Sequence, residues 1–195
     1  LAPFPLRSPP GGKRFVAPPN GRGRAGGFEV GLAVHYRVIA DDPKAFVGLP
    51  EVKVGLLPGG GGTQRMPRLI GVAQALPYLL EGGNIAAAEA KKLGLVHEVV
   101  PAGELIAAAK RWLMGSPVAV QPWDPKGYRG PGGVAFASAG TTQNFMGPTA
   151  LVADKTPHNH PAPAAIPSWD SQSPLLPMQK GPAVEATNFA CLLYH

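Results

Sequence analysis

From Gly26 to Met114 the chain alternates between helical and strand-like hydrophobic periods, and on either side of that span the periods fade. In GGFEVGLAVHYRV, Val30, Ala33 and Val34 fall at helical spacing behind two glycines. Glu29 lies in the first turn, where a carboxylate suits the positive end of a helix. RVIA then reads as a short strand, Asp41-Asp42-Pro43 as a turn, and AFVGL as a second strand. Gly59–Gly62 reads as a loop. Thr63 is expected to cap a helix carrying Leu69, Ile70, Ala73 and Leu76 on one face. Asn84 is expected to cap another, IAAAEAKKL, which Gly94 ends. LVHEVV is a strand-like edge. AGELIAAAKRWLM is an amphipathic helix with Leu105, Ile106, Ala109, Trp112 and Leu113 on one side. After Pro117 only VEATNFACLLY looks helical, with Val184, Cys191 and Leu192 sharing a face that Thr187 and Asn188 interrupt. Strands alternating with helices predict an α/β layout.

Composition changes the picture at the two ends. Of 195 residues, 26 are glycine and 24 proline, a share that borders on poorly ordered chains. The prolines are dense up to Pro19, sparse from Asn20 to Val100 and dense again from Pro117. This divides the chain into an irregular lead-in (1–12), a globular middle (13–116) and a Pro-rich, linker-like tail (117–195) ending in a helix. The net charge of +6 and a pI near 9.7 admit an anionic ligand such as a phosphorylated cofactor. The positive charges are scattered and no RNA- or DNA-binding motif accompanies them, which argues against nucleic acid. A single cysteine, Cys191, excludes an internal disulfide and fits a reducing compartment. No apolar run reaches the length of a membrane span. The first residues lack the apolar centre of a signal peptide and there is no initiator Met, so the chain is expected to begin inside a longer gene product.

The chemistry concentrates at the glycines. A phosphate loop needs a lysine and a Ser/Thr after its last glycine. Here Gly62 is followed by Thr63-Gln64-Arg65, so the lysine is absent. A second reading uses the backbone itself, because glycine lets a main chain approach a ligand closely. Helix N-termini present free N–H groups and a positive dipole. The arrangement occurs twice, at Gly26-Gly27 before the Glu29 helix and at Gly59–Gly62 before the Thr63 helix, each near one acid, Glu29 or Glu51. Two carboxylates beside oriented amides suit a reaction in which an oxyanion develops while a proton moves. Taken singly, each glutamate also reads as a solvated surface acid, and the glycine run as a flexible connection.

The segment NGRGRAGGFEVGLAVHYRVIADDPKAFVGLPEVKVGLLPGGGGTQRMPRLIG, continued by AAEAKKLGLVHEVVP, resembles the crotonase superfamily. Within it, the likeness is to enoyl-CoA hydratases, and there to the hydratase part of multifunctional fatty-acid oxidation alpha subunits. It covers roughly residues 13–115, and the 22 positions between Glu29 and Glu51 are close to that family's spacing. QPWDPKGYRGPGG, NHPAPAAI and VEATNFACLL more weakly resemble the linker toward a dehydrogenase domain.

The resemblance implies a crotonase-like (ββα-spiral) α/β fold, incomplete at the N-terminus, and hydration of a trans-2-enoyl-CoA to a 3-hydroxyacyl-CoA. It assigns Glu29 and Glu51 to activating water and moving a proton to the substrate α-carbon, with acid and base left open. Gly26 becomes an oxyanion-hole donor, and Gly27, Pro58 and Gly59 line the substrate pocket. No cofactor is implied, acyl-CoA being the substrate; a Rossmann fingerprint is absent, so no NAD site is expected. The implied assembly is a trimer-based homo-oligomer or a complex with a thiolase, in bacterial cytoplasm, mitochondrion or peroxisome.

Several positions depart from the family pattern. The upstream segment carrying the family's first oxyanion donor is not found before Asn20. Pro18-Pro19 cannot supply ladder N–H groups, and Arg24-Ala25 stand where the family has an apolar residue and a glycine. Marginal stability follows as an expectation. Two rival readings stay open: a catalytically inactive packing or assembly module, and an enoyl-CoA isomerase, although retention of both acids leans toward hydratase. Outside the two glutamates, His158 and His160 form an H-x-H pair with only Asp154 near, read as a polar loop rather than a metal site. His35 reads as structural, Trp112 and Leu113 as core or subunit contacts, and Lys53, Arg65 and Arg68 as solvated charge with a CoA phosphate as the alternative. Cys191 reads as a small apolar helix residue.

Overall fold

The computed structural model describes residues 13–115, 120–125, 127–128, 130–131 and 181–193. Strands β1 (Val16–Ala17), β3 (Tyr36–Ala40) and β6 (Glu98–Val100) form one parallel sheet with β3 in the centre. Val16 is in register with Tyr36, and Val38 with Glu98. Strands β2 (Arg22–Arg24), β4 (Phe46–Gly48) and β5 (Ile85–Ala86) form a second, with β4 parallel to β2 and antiparallel to β5. β1 ends at Ala17, directly before Pro18-Pro19, where the ladder would need amide hydrogens that proline lacks.

Helices α1 (Gly26–Ala33), α4 (Ala87–Leu93) and α5 (Leu105–Gly115) pack against these strands; α2 (Gly62–Ile70) packs on α1 and α3 (Val72–Glu81), and α6 (Gly181–Leu193) packs on α2. Phe28 and Leu32 of α1, Val38 and Ile39 of β3, Met66 of α2 and Leu76 and Leu79 of α3 belong to one buried cluster. Each fully buried Leu or Ile contributes about 1.5–3 kcal/mol relative to exposure. A second contact closes the far side of β3, where the Tyr36 ring stacks between His97 and Trp112 and its hydroxyl donates to Glu98.

The α1, β3, β4 and β6 segments lie where the hydrophobic periods predict them, but the buried face of α1 is Phe28, Leu32 and Ala33, with Val30 exposed and Val34 the residue after the helix. Three helix expectations do not hold. The helix expected after Thr63 is two helices, because Gly71, at φ +87°, cannot continue the first and its α2 cap opens α3. Ala73 therefore faces solvent while Leu76 is buried. Asn84 caps nothing: Ile85–Ala86 pair with β4 first, Ala86 is the cap of α4, and the Asn84 side chain accepts from Arg24 instead. Gly94, in the left-handed region, ends α4 as expected. In α6 the face drawn through Val184, Cys191 and Leu192 holds only in part: Leu192 packs against the core, but Cys191 is exposed and the fully buried residue is Glu185. On α5, Leu105 and Ala109 are buried, Trp112 is half-buried and Ile106 and Leu113 are exposed.

Candidate active site

Helix α1 starts at a sharp turn. Ala25, at φ +50°, gives its carbonyl to the amides of Phe28 and Glu29, and its own N–H to Gly48. This turn aims Glu29 inward, 5% exposed, between the buried Phe28 and Leu32. Its Oε1 accepts the N–H of Gly60 and the N–H of Gly62, each at 2.8 Å. Burial raises its pKa above the ordinary carboxylate value; the two amides and the Arg65 charge oppose that shift.

Glu51 opens a 3-10 turn (Glu51–Val54) after Pro50 and is half-buried. Among the described residues its Oε2 is buried with no hydrogen-bond partner. Burial pushes its carboxyl up to about 7; its own backbone amide lowers it and the Glu29 charge raises it further. The two acids thus lie within each other's field but in different environments: Glu29 is held by two N–H donors, and Glu51 keeps an unsatisfied oxygen. Such a pair separates into a carboxylate and a carboxylic acid near neutral pH.

The glycine run is explained by close approach. Gly61, at φ +101°, is the cap of α2, and Thr63 lies inside the helix instead of capping it. A Cβ on Gly60 would stand 2.8 Å from Glu29 Oε2. On Gly62 it would stand 2.8 Å from both Glu29 Oε1 and Pro58 Cβ, and 2.9 Å from Leu49 Cδ1. The space a side chain would need is already filled by the carboxylate.

A third acid, unanticipated from the sequence, meets the same turn. Glu185 of α6 is fully buried; it accepts the N–H of Gly61 at 2.5 Å, the N–H of Thr63 at 3.2 Å, and the Thr63 hydroxyl. Burial pushes its carboxyl up to about 8, against the pull of the Thr63 hydroxyl, the Gly61 amide and Arg65. The one signal in the sequence is that Glu185 is the sole charged residue of α6.

The remaining candidates are placed as follows. Gly26 and Gly27 are exposed at the first turn of α1, where amides have no intrahelical acceptor. Gly27 also lines a cavity of about 190 Å³ with Ala17, Pro18, Phe28, Gly31 and Val47. That cavity is bordered by neither glutamate, nor by Pro58 or Gly59. Pro58 packs against Gly62, and Gly59 lies under the Phe189 ring, 2.9 Å from where its Cβ would be.

Arg65 and Arg68 are not solvated: both are buried, Arg65 donating to the Gly60 carbonyl at 2.7 Å and Arg68 to the Gln64 carbonyl at 2.7 Å. The carbonyl acceptors satisfy guanidinium groups that would otherwise be costly to bury. Lys53 is exposed. Arg24 avoids a burial cost, lying exposed over the Phe46 ring. His35 is buried and its Nδ1 accepts the Phe15 N–H, a structural contact; burial lowers its pKa. His158, His160 and Asp154 lie outside the described residues, among which no group of three metal-binding side chains occurs. Among the described residues no helix is long and apolar enough to cross a membrane.

This arrangement, with Glu29 held on a glycine turn and Glu51 in its field, in two small sheets with helices about them, belongs to a recognisable class. Residues 12–122 match the enoyl-CoA hydratase/isomerase family, and the chain is a member of it. Among proteins, it is 42% identical over 178 residues to the fatty acid oxidation complex subunit alpha of Shewanella baltica, covering 91% of this chain and 25% of that one. It is 41% identical over 180 residues to the subunit of the same name in Shewanella frigidimarina, with the same coverage. The chain thus spans about a quarter of the length of these curated relatives.

Among solved structures, an enoyl-CoA hydratase from Bacillus anthracis aligns at TM-score 0.51 and 26% identity, covering 94% of this chain and 55% of that one. A probable enoyl-CoA hydratase/isomerase from Mycobacterium abscessus aligns at 0.50 and 30%, covering 52% and 39%. An enoyl-CoA hydratase from Mycobacterium avium, at 0.57 and 22% over 93% and 63%, shares the fold. The fold is the crotonase fold that the sequence resemblance implies.

Proposed function

We propose that this chain is a hydratase domain that adds water across the double bond of a trans-2-enoyl-CoA to give a 3-hydroxyacyl-CoA. The observation that supports it most is that Glu51, whose buried Oε2 has no hydrogen-bond partner among the described residues, lies within the field of Glu29, which two glycine amides hold. Glu29, held by the Gly60 and Gly62 amides, acts as the base: it takes a proton from water as the water oxygen bonds to C3. Glu51, whose carboxyl is raised to about 7, acts as the acid and gives its proton to C2. The electron pair of the double bond passes through the thioester oxygen, which the Gly26 amide stabilises as negative charge develops there. One such donor contributes about 2.7–4 kcal/mol to lowering the barrier. The reaction needs no group beyond the CoA that the substrate carries.

That the Glu51 Oε2 is buried with no hydrogen-bond partner among the described residues favours this reading over an inactive packing module, because an unsatisfied buried oxygen costs about 1–3 kcal/mol and a purely structural role gives nothing in return. The presence of two acids favours hydratase over isomerase. By analogy with the Shewanella relatives, we assign the chain to a fatty acid oxidation assembly in the bacterial cytoplasm, with a partner subunit or further copies of itself. The test follows crotonyl-CoA absorbance with the native protein and with Glu29→Gln and Glu51→Gln. Each substitution is expected to lower kcat by roughly 10²- to 10⁴-fold. Unchanged turnover in both variants refutes the assignment.

A further inference from the structure

Four consecutive amides at the start of α2 are shared between two carboxylates in alternation. Gly60 and Gly62 donate to Glu29; Gly61 and Thr63 donate to Glu185, with the Thr63 hydroxyl adding a third bond. The two acids reach the turn from different elements, Glu29 from α1 and Glu185 from α6. Helix α6 lies beyond residues 12–122, the span that matches the hydratase/isomerase family. One turn further along it, Phe189 covers Gly59.

Successive peptides share their Cα atoms, so a rotation that frees Gly61 or Thr63 from Glu185 also swings the amides of Gly60 and Gly62. We propose that Glu185 is a positioning residue: it fixes the Gly60–Thr63 turn in the arrangement in which the amides of Gly60 and Gly62 hold the Glu29 carboxylate. It touches no reacting atom and acts through Glu29. The kinetic part of this inference rests on the hydratase reading; the structural part does not.

The test uses the sign of a shift. The charged groups facing Glu29 are Arg65 from α2, Glu51 from the 3-10 turn and Glu185 from α6. Because the Glu185 carboxyl is raised to about 8, it is neutral where Glu29 titrates, so if it were only a neighbour Glu185→Gln would leave the pKa of Glu29 essentially unchanged. If it positions the turn, Glu29 loses its amide donors and its pKa rises. We expect a rise of at least about half a pH unit, read by carboxyl-carbon NMR titration, together with faster amide exchange at Gly60 and Gly62. Thr63→Val removes one bond to Glu185 with no change of charge, and is expected to move Glu29 the same way by less. With crotonyl-CoA, Glu185→Gln is expected to lower kcat about tenfold while KM stays within about twofold. A Glu29 pKa that stays the same or falls in Glu185→Gln, with exchange at Gly60 and Gly62 unchanged, overturns the proposal. A native protein that hydrates no enoyl-CoA sinks the hydratase reading, and the titration still decides the role of Glu185.

Discussion

At the scale of single residues, the site is a matter of which polar atoms find partners. Glu29 has two amides and Glu51 Oε2 has none among the described residues. The separation of the two acids was legible in the sequence, because each follows or precedes glycines at a helix start. Their unlike surroundings were not, because these depend on amides 31 and 33 positions away from Glu29. Arg65 and Arg68 misled for a similar reason: a charged residue in a helix reads as solvated until a buried carbonyl is shown to accept from it. Ala25 carries a local strain. Its φ of +50° lies where L-residues are disfavoured and glycine is not. Ala25→Gly is expected to raise unfolding stability by about 1 kcal/mol in urea titration, since relief of about 1–3 kcal/mol exceeds the entropy glycine adds to the unfolded chain.

At the scale of elements, the first turn of α2 is the part on which the site depends. Three elements converge there: α1 through Glu29, α2 through its own amides, and α6 through Glu185. Local sequence predicted the loop and the helix after it, and assigned Thr63 as the cap. The cap is Gly61, because only glycine takes φ +101° freely and because Thr63 is already engaged by an acid 122 positions away. No local pattern carries a contact of that range. Gly62→Ala is expected to lose about 1–3 kcal/mol of stability by overpacking against Pro58 and Leu49. The same substitution pushes Glu29 away, so hydration should fall more than stability does; a variant with normal turnover and a lowered melting temperature would separate the two.

At the scale of the whole molecule, the fold class and the order of elements in residues 26–115, apart from the break between α2 and α3 and the short β5, followed from hydrophobic period and from turn residues, and the resemblance named the fold. The docking of α6 did not follow, since its buried group is an acid where the sequence pattern points to apolar residues. Burying three acids has a consequence for pH. The folded-state pKa values of Glu51 and Glu185, about 7 and about 8, exceed the ordinary 4.5. Their contribution to stability is therefore complete below about pH 4.5 and is lost as pH rises through 7 and 8. His35 and His97, whose pKa values are lowered from 6.5 (His97 to about 4), act oppositely and only below 6.5. The melting temperature should fall between about pH 6.5 and 8 and level off above that, and Glu185→Gln should flatten the slope. A melting temperature that rises across that interval contradicts the burial of these acids.

The division of labour between Glu29 and Glu51 is tested most directly by the pH dependence of kcat/KM for crotonyl-CoA hydration. The account predicts a bell: activity lost at low pH as Glu29 takes up a proton, and lost again as pH rises through about 7, where Glu51 gives its proton up. A rate that keeps climbing well above that value, or that does not change with pH, would contradict it.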